Sequence, residues 1–258
     1  MEMYDNENTV KKSFDPDFLT EELLQAQWAE FIELKKIITE LYHKKQHPLS
    51  ILDVGIGNAR IPKHLCGIQE ICNMVEKYDG TDNAMNCVEI SEKVIADLGI
   101  RNKVSAYFFE AADLDKWNRK YDLIITTWFT AGNFYPVNFP FETYKESGMR
   151  TDLAANEKFE KIFSNAYDLL QPGGEIIIGA CYLDNDRTRK KQEDFYRKAG
   201  MTIITDDKDS FTATKERFWS QRFTHQKILN YLHFVSPEKI SFNPLDTYDF
   251  AMQVRIKK

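Results

Sequence analysis

The chain has 258 residues, 43% of them hydrophobic and 29% charged, with a formal net charge of −6. That length supports a full core, and the acidic balance lacks the broad basic surface that neutralises phosphates, so nucleic acid is not an expected partner. No apolar run approaches the roughly 18 residues that suggest a membrane span, and the opening MEMYDNENTVKK has no apolar signal core.

Residues 1–14 are polar. From Thr20, a fair N-cap followed by Glu21 and Glu22, apolar residues recur at helical steps through Leu24, Trp28, Phe31, Leu34, Ile38 and Leu41. Lys44, Lys45 and Pro48 close this helix, which makes 1–48 an N-terminal extension. Strands are then predicted over 50–54, 77–81, 104–109, 121–126 and 174–180, with helices over 59–70, 84–98 and 151–170. Such alternation signals a parallel sheet covered on both faces. QPGG at 171–174 ends a helix and turns into a strand. The stretch KERFWSQRFTHQKILNYL reads as a helix joining the last two strands, with His225 on its surface. The tail YDFAMQVRIKK suits an edge strand. With no repeat and no low-complexity linker, 1–258 reads as one domain.

Cys66, Cys72, Cys87 and Cys181 form no CxxC pair and read as reduced thiols of a cytoplasmic protein. His43, His47, His64, His225 and His233 have no metal-ligand spacing, so no metal is expected. The segment 130–150 carries aromatics from Phe134 to Tyr144 and follows a strand, where ligands of open α/β sheets bind. It reads as a substrate loop.

The stretch ILDVGIGNAR, 51–60, runs a buried strand into Gly55 and Gly57, which permits close backbone approach to a ligand. The dinucleotide fingerprint needs a third small residue where Arg60 stands, so a pyrophosphate site is poorly supported. ILDVGIGNAR resembles the first motif of the class I S-adenosylmethionine-dependent methyltransferases, with Ala59 where that family often has a third glycine. YDGTDNA resembles the second strand, EAADLDKW the loop after the third, YDLIITTWF the fourth strand and LLQPGGEIIIG the turn into the fifth. The match spans roughly half the chain, and its five motifs fall in order.

The resemblance implies an α/β fold. It would be a doubly wound, mostly parallel seven-stranded sheet whose last strand is antiparallel, with helices on both faces and an extra N-terminal helix. It implies S-adenosylmethionine as cofactor, leaving S-adenosylhomocysteine as product. Asp53 marks the motif, while Gly55, Gly57 and Asn58 line the methionine part. Asp82, followed by Asn83, would accept from the ribose hydroxyls, with Asp79 as the rival. Asp113 would accept from the adenine amino group, Leu114 would lend its N–H, and Thr127 and Trp128 would complete the cofactor wall.

The acceptor should lie beyond the strand ends, against Phe129, Phe134, Tyr135 and Asp152. Asn133, Tyr182 and Asp184 are the candidate catalytic groups: Asn133 to orient the nucleophile, Tyr182 and Asp184 to take hydrogen bonds from an amine or steer a proton. The expected acceptor is a small molecule or peptide, with N-methylation of an amine suggested by the acids Asp152 and Asp184. The aromatics carry the plainer reading of core packing beside this one, and Asp184 that of a loop turn. The rivals are a catalytically inert subunit that keeps the adenosyl ligand and a nicotinamide-dependent dehydrogenase. Residues before Thr20, with Tyr4, Phe14 and Phe18, are expected to close as a lid together with 130–150.

Overall fold

A computed structural model of the chain describes residues 19–147, 151, 153–245 and 249–258. Helix α1, Glu21–Lys45, begins at Thr20, whose side chain accepts from the Leu23 N–H, and ends at Gln46 in the left-handed region. Glu21 and Glu22 lie in its first turn and His43, Lys44 and Lys45 in its last, as the helix dipole favours.

The elements that follow are β1 (Leu49–Val54), α2 (Arg60–Cys66), α3 (Gln69–Asn73), β2 (Val75–Asp82), α4 (Met85–Asp97) and β3 (Val104–Phe108). After a 3-10 turn at Ala111–Lys116 come β4 (Tyr121–Thr126), a second 3-10 turn at Thr130–Asn133, α5 (Tyr144–Ser147), α6 (Glu157–Leu169) and β5 (Leu170–Leu183). The chain continues through α7 (Asp186–Lys198), β6 (Phe211–Ala213), β7 (Trp219–Phe223), α8 (His225–Tyr231), β8 (Ile240–Pro244) and β9 (Ala251–Lys257).

Strands β3, β2, β1, β4 and β5 lie side by side and parallel. Strand β9 runs antiparallel along β5, and β8 antiparallel along β9. These seven strands form the expected doubly wound sheet with an antiparallel last strand. Two more strands bring the total among the described residues to nine. Hairpin β6–β7 joins the end of β5 in parallel through Tyr182–Arg222 and Leu183–Phe223.

The central strands are buried on both faces, so they read as continuous apolar runs that sort by alternation. Leu52, Val54, Ile124, Ile176 and Ile178 pack with Phe159 and Phe163 of α6. Ile51, Leu123, Ile125 and Ile177 pack on the other face with Phe31, Leu34 and Ile38 of α1.

Three segments depart from the sequence reading. On α1, Leu24 and Trp28 are 40% and 60% exposed; the first turns bury Leu23, Ala26 and Glu30 instead. The stretch predicted as one helix around His225 is a strand and then a short helix, because Trp219, Ser220, Gln221, Arg222 and Phe223 are all buried against neighbouring strands and helices. The segment after β4 is folded rather than an open loop over its described part. Phe139, Phe141 and Tyr144 are buried in a third cluster with Phe211 and Trp219 of the hairpin. Residues 1–18 of the expected lid lie outside the described residues.

Gly80 in β2 faces the turn after β1, where a β-carbon would come within 2.2 Å of Ile56 Cδ1 and 2.8 Å of its Cβ. Ile56 is itself buried, so it has little room to yield. Gly80→Ala should therefore cost about 1–3 kcal/mol, the usual range for overpacking. Urea unfolding checks this, and an unchanged midpoint would mean the turn relaxes freely.

Candidate functional site

Between β1 and β4 the strand order reverses, and at such a switch point the connections leave in opposite directions and open a crevice. A cavity of about 490 Å³ occupies it. The turn after β1 forms its floor. Gly55 and Gly57 have φ of +87° and +58°, conformations that a side chain resists. A β-carbon on Gly55 would also lie 2.5 Å from Thr130 Cγ2. The Gly55 and Ile56 N–H groups donate to the Thr81 carbonyl at 2.8 and 2.9 Å, tying the turn to β2.

Asp82 ends β2 on the cavity wall, buried. One carboxylate oxygen accepts from the Gly57 N–H and the other from the Ala84 N–H, both at 3.0 Å. Burial raises its pKa, opposed by these backbone donors. Beside it, Asn83 Nδ2 donates to Glu110 Oε2 at 3.1 Å, and Lys158 Nζ lies 3.5 Å from Glu110 Oε1. Asp79 is excluded from this wall. It lies one strand turn deeper, accepting from Tyr121 Oη and Arg119 Nη1 at 2.7 Å.

The opposite wall is set by a charge in α1. Glu30 is fully buried; Oε1 accepts from the Trp128 N–H at 2.7 Å, and Oε2 from Arg60 Nη2 at 2.5 Å. The Arg60 guanidinium in turn lies 5.5 Å from the Trp128 ring centroid. Trp128 and Phe129 have φ of 53° and 61°. Such residues cost about 1–3 kcal/mol each and persist where their surroundings fix them.

The cavity therefore gathers Gly55, Gly57, Asn58, Asp82, Asn83, Thr127, Trp128, Asn133, Phe134 and Tyr135 of the sequence candidates. Others lie elsewhere. Asp53 is buried beneath the turn. Asp113 is off the wall, its half-exposed carboxylate 3.0 Å from Lys116 Nζ, and Leu114 is in the core. Glu110, directly after the third strand, occupies the wall that Asp113 was expected to hold. Phe129 is buried with its ring flat on Tyr182, centroids 3.6 Å apart, so neither reaches the cavity. Asp184 lines a separate hollow with His225 and ion-pairs Arg222 at 3.4 Å. Asp152 lies outside the described residues.

Sequence reasoning missed Glu110, Glu30, Lys158, Arg217 and Trp219. Glu30 had a signal: it falls on the helix face buried by Leu23, Ala26 and Leu34, where an acid needs partners. Among the described residues no group of three or more His, Cys, Asp or Glu side chains is arranged to hold a metal, and no helix is long and apolar enough to cross a membrane.

No protein-family model matches the chain, and no curated protein does. Solved structures match in fold. The CcbJ methyltransferase from Streptomyces caelestis is 10% identical, with a TM-score of 0.59 over 98% of this chain and 97% of that one. Magnesium protoporphyrin IX methyltransferase from Synechocystis PCC 6803, with bound S-adenosylhomocysteine, is 11% identical, with a TM-score of 0.55 over 97% and 93%. An S-adenosylmethionine-dependent methyltransferase from Clostridium acetobutylicum ATCC 824 is 14% identical, with a TM-score of 0.54 over 90% of each chain. At these identities the likeness is one of fold.

Asp53 gives this site a pH signature. Burial pushes its carboxyl up to about 7, opposed by the Tyr78 hydroxyl that donates to it at 2.5 Å. In the unfolded chain the group titrates near ~4. The folded state thus holds a proton that the unfolded state has lost, and stability should fall as pH rises from about 4 to about 7. Asp53→Asn should flatten that decline. Parallel melting curves of both proteins across this range check it, and equal slopes would show that Asp53 titrates normally.

Proposed function

We propose that the chain binds S-adenosylmethionine in this cavity and transfers its methyl group to a small-molecule acceptor. The observation that carries the reading is Asp82: a buried carboxylate at the end of β2, tied to the Gly57 N–H and facing the cavity. Two hydroxyls of a ribose are the donors such a carboxylate can accept together.

The residues present suit the adenosyl ligand. Gly55 and Gly57 leave backbone exposed where a β-carbon would fill the turn. Glu110 is an acceptor for a base amino group, and Asn83 holds it by a hydrogen bond. Phe109, Ala111 and Ile90 offer apolar faces for the base. A nicotinamide dinucleotide fits less well, because Arg60 stands where its fingerprint needs a small residue and crosses to Glu30.

The cofactor, when bound, supplies an electrophilic methyl on a sulfonium. The chain's own task is alignment: the acceptor must approach in line and within about 3–3.5 Å. Trp128 and Thr127 sit at the end of β4, on the side where an acceptor would enter, and Glu30 fixes the Trp128 backbone. Asn133 and Tyr135 on the same wall can orient the nucleophile. The lean toward a cationic amine loses Asp184, which is turned to Arg222 outside the cavity.

Calorimetry should show binding of S-adenosylmethionine and S-adenosylhomocysteine and none comparable for NAD or NADP; the reverse pattern would sink the reading. Asp82→Ala should weaken S-adenosylhomocysteine by about 1.5–3 kcal/mol, on the order of tenfold to a hundredfold. Unchanged affinity in a folded variant would remove Asp82 from the ribose.

A further inference from the structure

Among the described residues the lysines and arginines that line the cavity are Arg60, Lys63, Lys158 and Arg217, and they are not equivalent. Arg60 meets Glu30 at 2.5 Å, Lys158 meets Glu110 at 3.5 Å and Arg217 meets Glu142 at 2.6 Å. Lys63 is exposed, and no described acid lies within ion-pair distance of it. It sits on α2 three residues after Arg60, which places both on one face of that helix.

The field around Lys63 is positive. His64, the next residue, packs its ring 5.2 Å from that of Phe31 and 6.1 Å from that of Trp28, both on α1. Burial first, and then the charges of Arg60 and Lys63, hold the His64 pKa below its usual value. Gln27 of α1, one helical turn before Phe31, lines the same cavity, and its amide has no hydrogen-bond partner among the described residues. It brings no charge to compete for the ammonium. The end of the cavity between α1 and α2 thus presents an unpaired cation, whereas Asp82 stands on the wall opposite Arg60.

Resting on the methyl-transfer reading, we propose that Lys63 receives the carboxylate of the cofactor's amino-acid arm. With the ribose at Asp82 and the base toward Glu110, the arm leaves across Gly55 and Gly57 to the side from which α2 departs. Its carboxylate is the one negative group on the ligand, and a lysine ammonium on a flexible stem is free to turn to it. Arg60 is nearer the turn but unsuited. Taking the carboxylate would draw it from Glu30, which is fully buried and costly to leave without its partner. The two ends of the ligand are then sorted by charge: acids meet the hydroxyls and the base, and a cation meets the acid of the arm.

The test is calorimetry on the full chain with three ligands. These are S-adenosylhomocysteine, its decarboxylated form, which keeps the ammonium, and methylthioadenosine, which has a methyl in place of the arm. Lys63→Gln should weaken S-adenosylhomocysteine roughly fivefold, the upper end for an exposed ion pair, and leave methylthioadenosine unchanged. The decarboxylated ligand should bind Lys63→Gln at least as tightly as the wild type, because the variant removes a like charge. Lys63→Arg keeps the charge and should bind S-adenosylhomocysteine as the wild type does. Equal affinity of Lys63→Gln and wild type for S-adenosylhomocysteine, an equal loss for all three ligands, or an equal loss in Lys63→Arg would overturn the proposal. A wild type that binds neither S-adenosylhomocysteine nor methylthioadenosine would strike the cofactor reading. One that binds both, with Lys63→Gln unchanged, would strike only this assignment and leave Lys63 to an anionic acceptor.

Discussion

The cavity depends on one buried carboxylate. Glu30 lies outside the sheet, in the first helix, yet it holds the backbone of Trp128 after β4 and the guanidinium of Arg60 after β1. Charges so deep are retained only with good partners, because their desolvation costs several kcal/mol. Removing the carboxylate would strand Arg60 and release the Trp128 N–H of a turn that holds two left-handed residues. Gly179 belongs to the same arrangement. A β-carbon there would lie 2.2 Å from Glu30 Oε1, so β5 must present bare backbone at that point. Helix, turn and sheet are thus fitted around a single side chain.

The other wall works by a different principle. Asp82 is anchored by the Gly57 and Ala84 N–H groups, and Glu110 by Asn83 and by Lys158 of α6. The polar atoms facing the cavity are thus held in place before any ligand arrives. Such preorganisation lowers the ordering cost of binding. Away from the cavity, Asp79, Tyr121, Trp117 and the half-exposed Arg119 make a second network. Two aspartates three residues apart in one strand therefore serve different ends, one structural and one turned to the cavity.

Much of this was legible in the sequence, and the parts that were not share a cause. Alternating apolar runs gave the parallel core because those strands are buried on both faces and tolerate little else. Gly55, Gly57 and Asp82 were readable because a sharp turn and a strand-end acid are local requirements. Asp113 was expected on the wall where Glu110 stands because nothing in the sequence fixes where β3 ends; the strand stops at Phe108 and the wall takes Phe109, Glu110 and Ala111. The helix face of α1 was misplaced because Trp28 and Leu24 look like core while Glu30 does not, and only tertiary pairing reverses that order. The hairpin was taken for helix because WSQRF has no clean alternation. All five of its residues are buried, with Arg222 satisfied by Gln192, Thr212 and the Asp209 and Phe211 carbonyls.

The pairing of Glu30 with a turn beside β4 and a glycine in β5 also sets an order of events during synthesis. The helix leaves the ribosome well before Gly179, the residue that makes room for its carboxylate. Until β5 has been made and inserted, Glu30 has nowhere dry to go, and the Trp128 turn lacks its clamp. The wall that Glu30 sets thus depends on a strand made long after the helix, and the wall at Arg217 and Trp219 on residues made later still. A nascent chain halted before β5 would hold the glycine turn and Asp82 and still have no finished pocket.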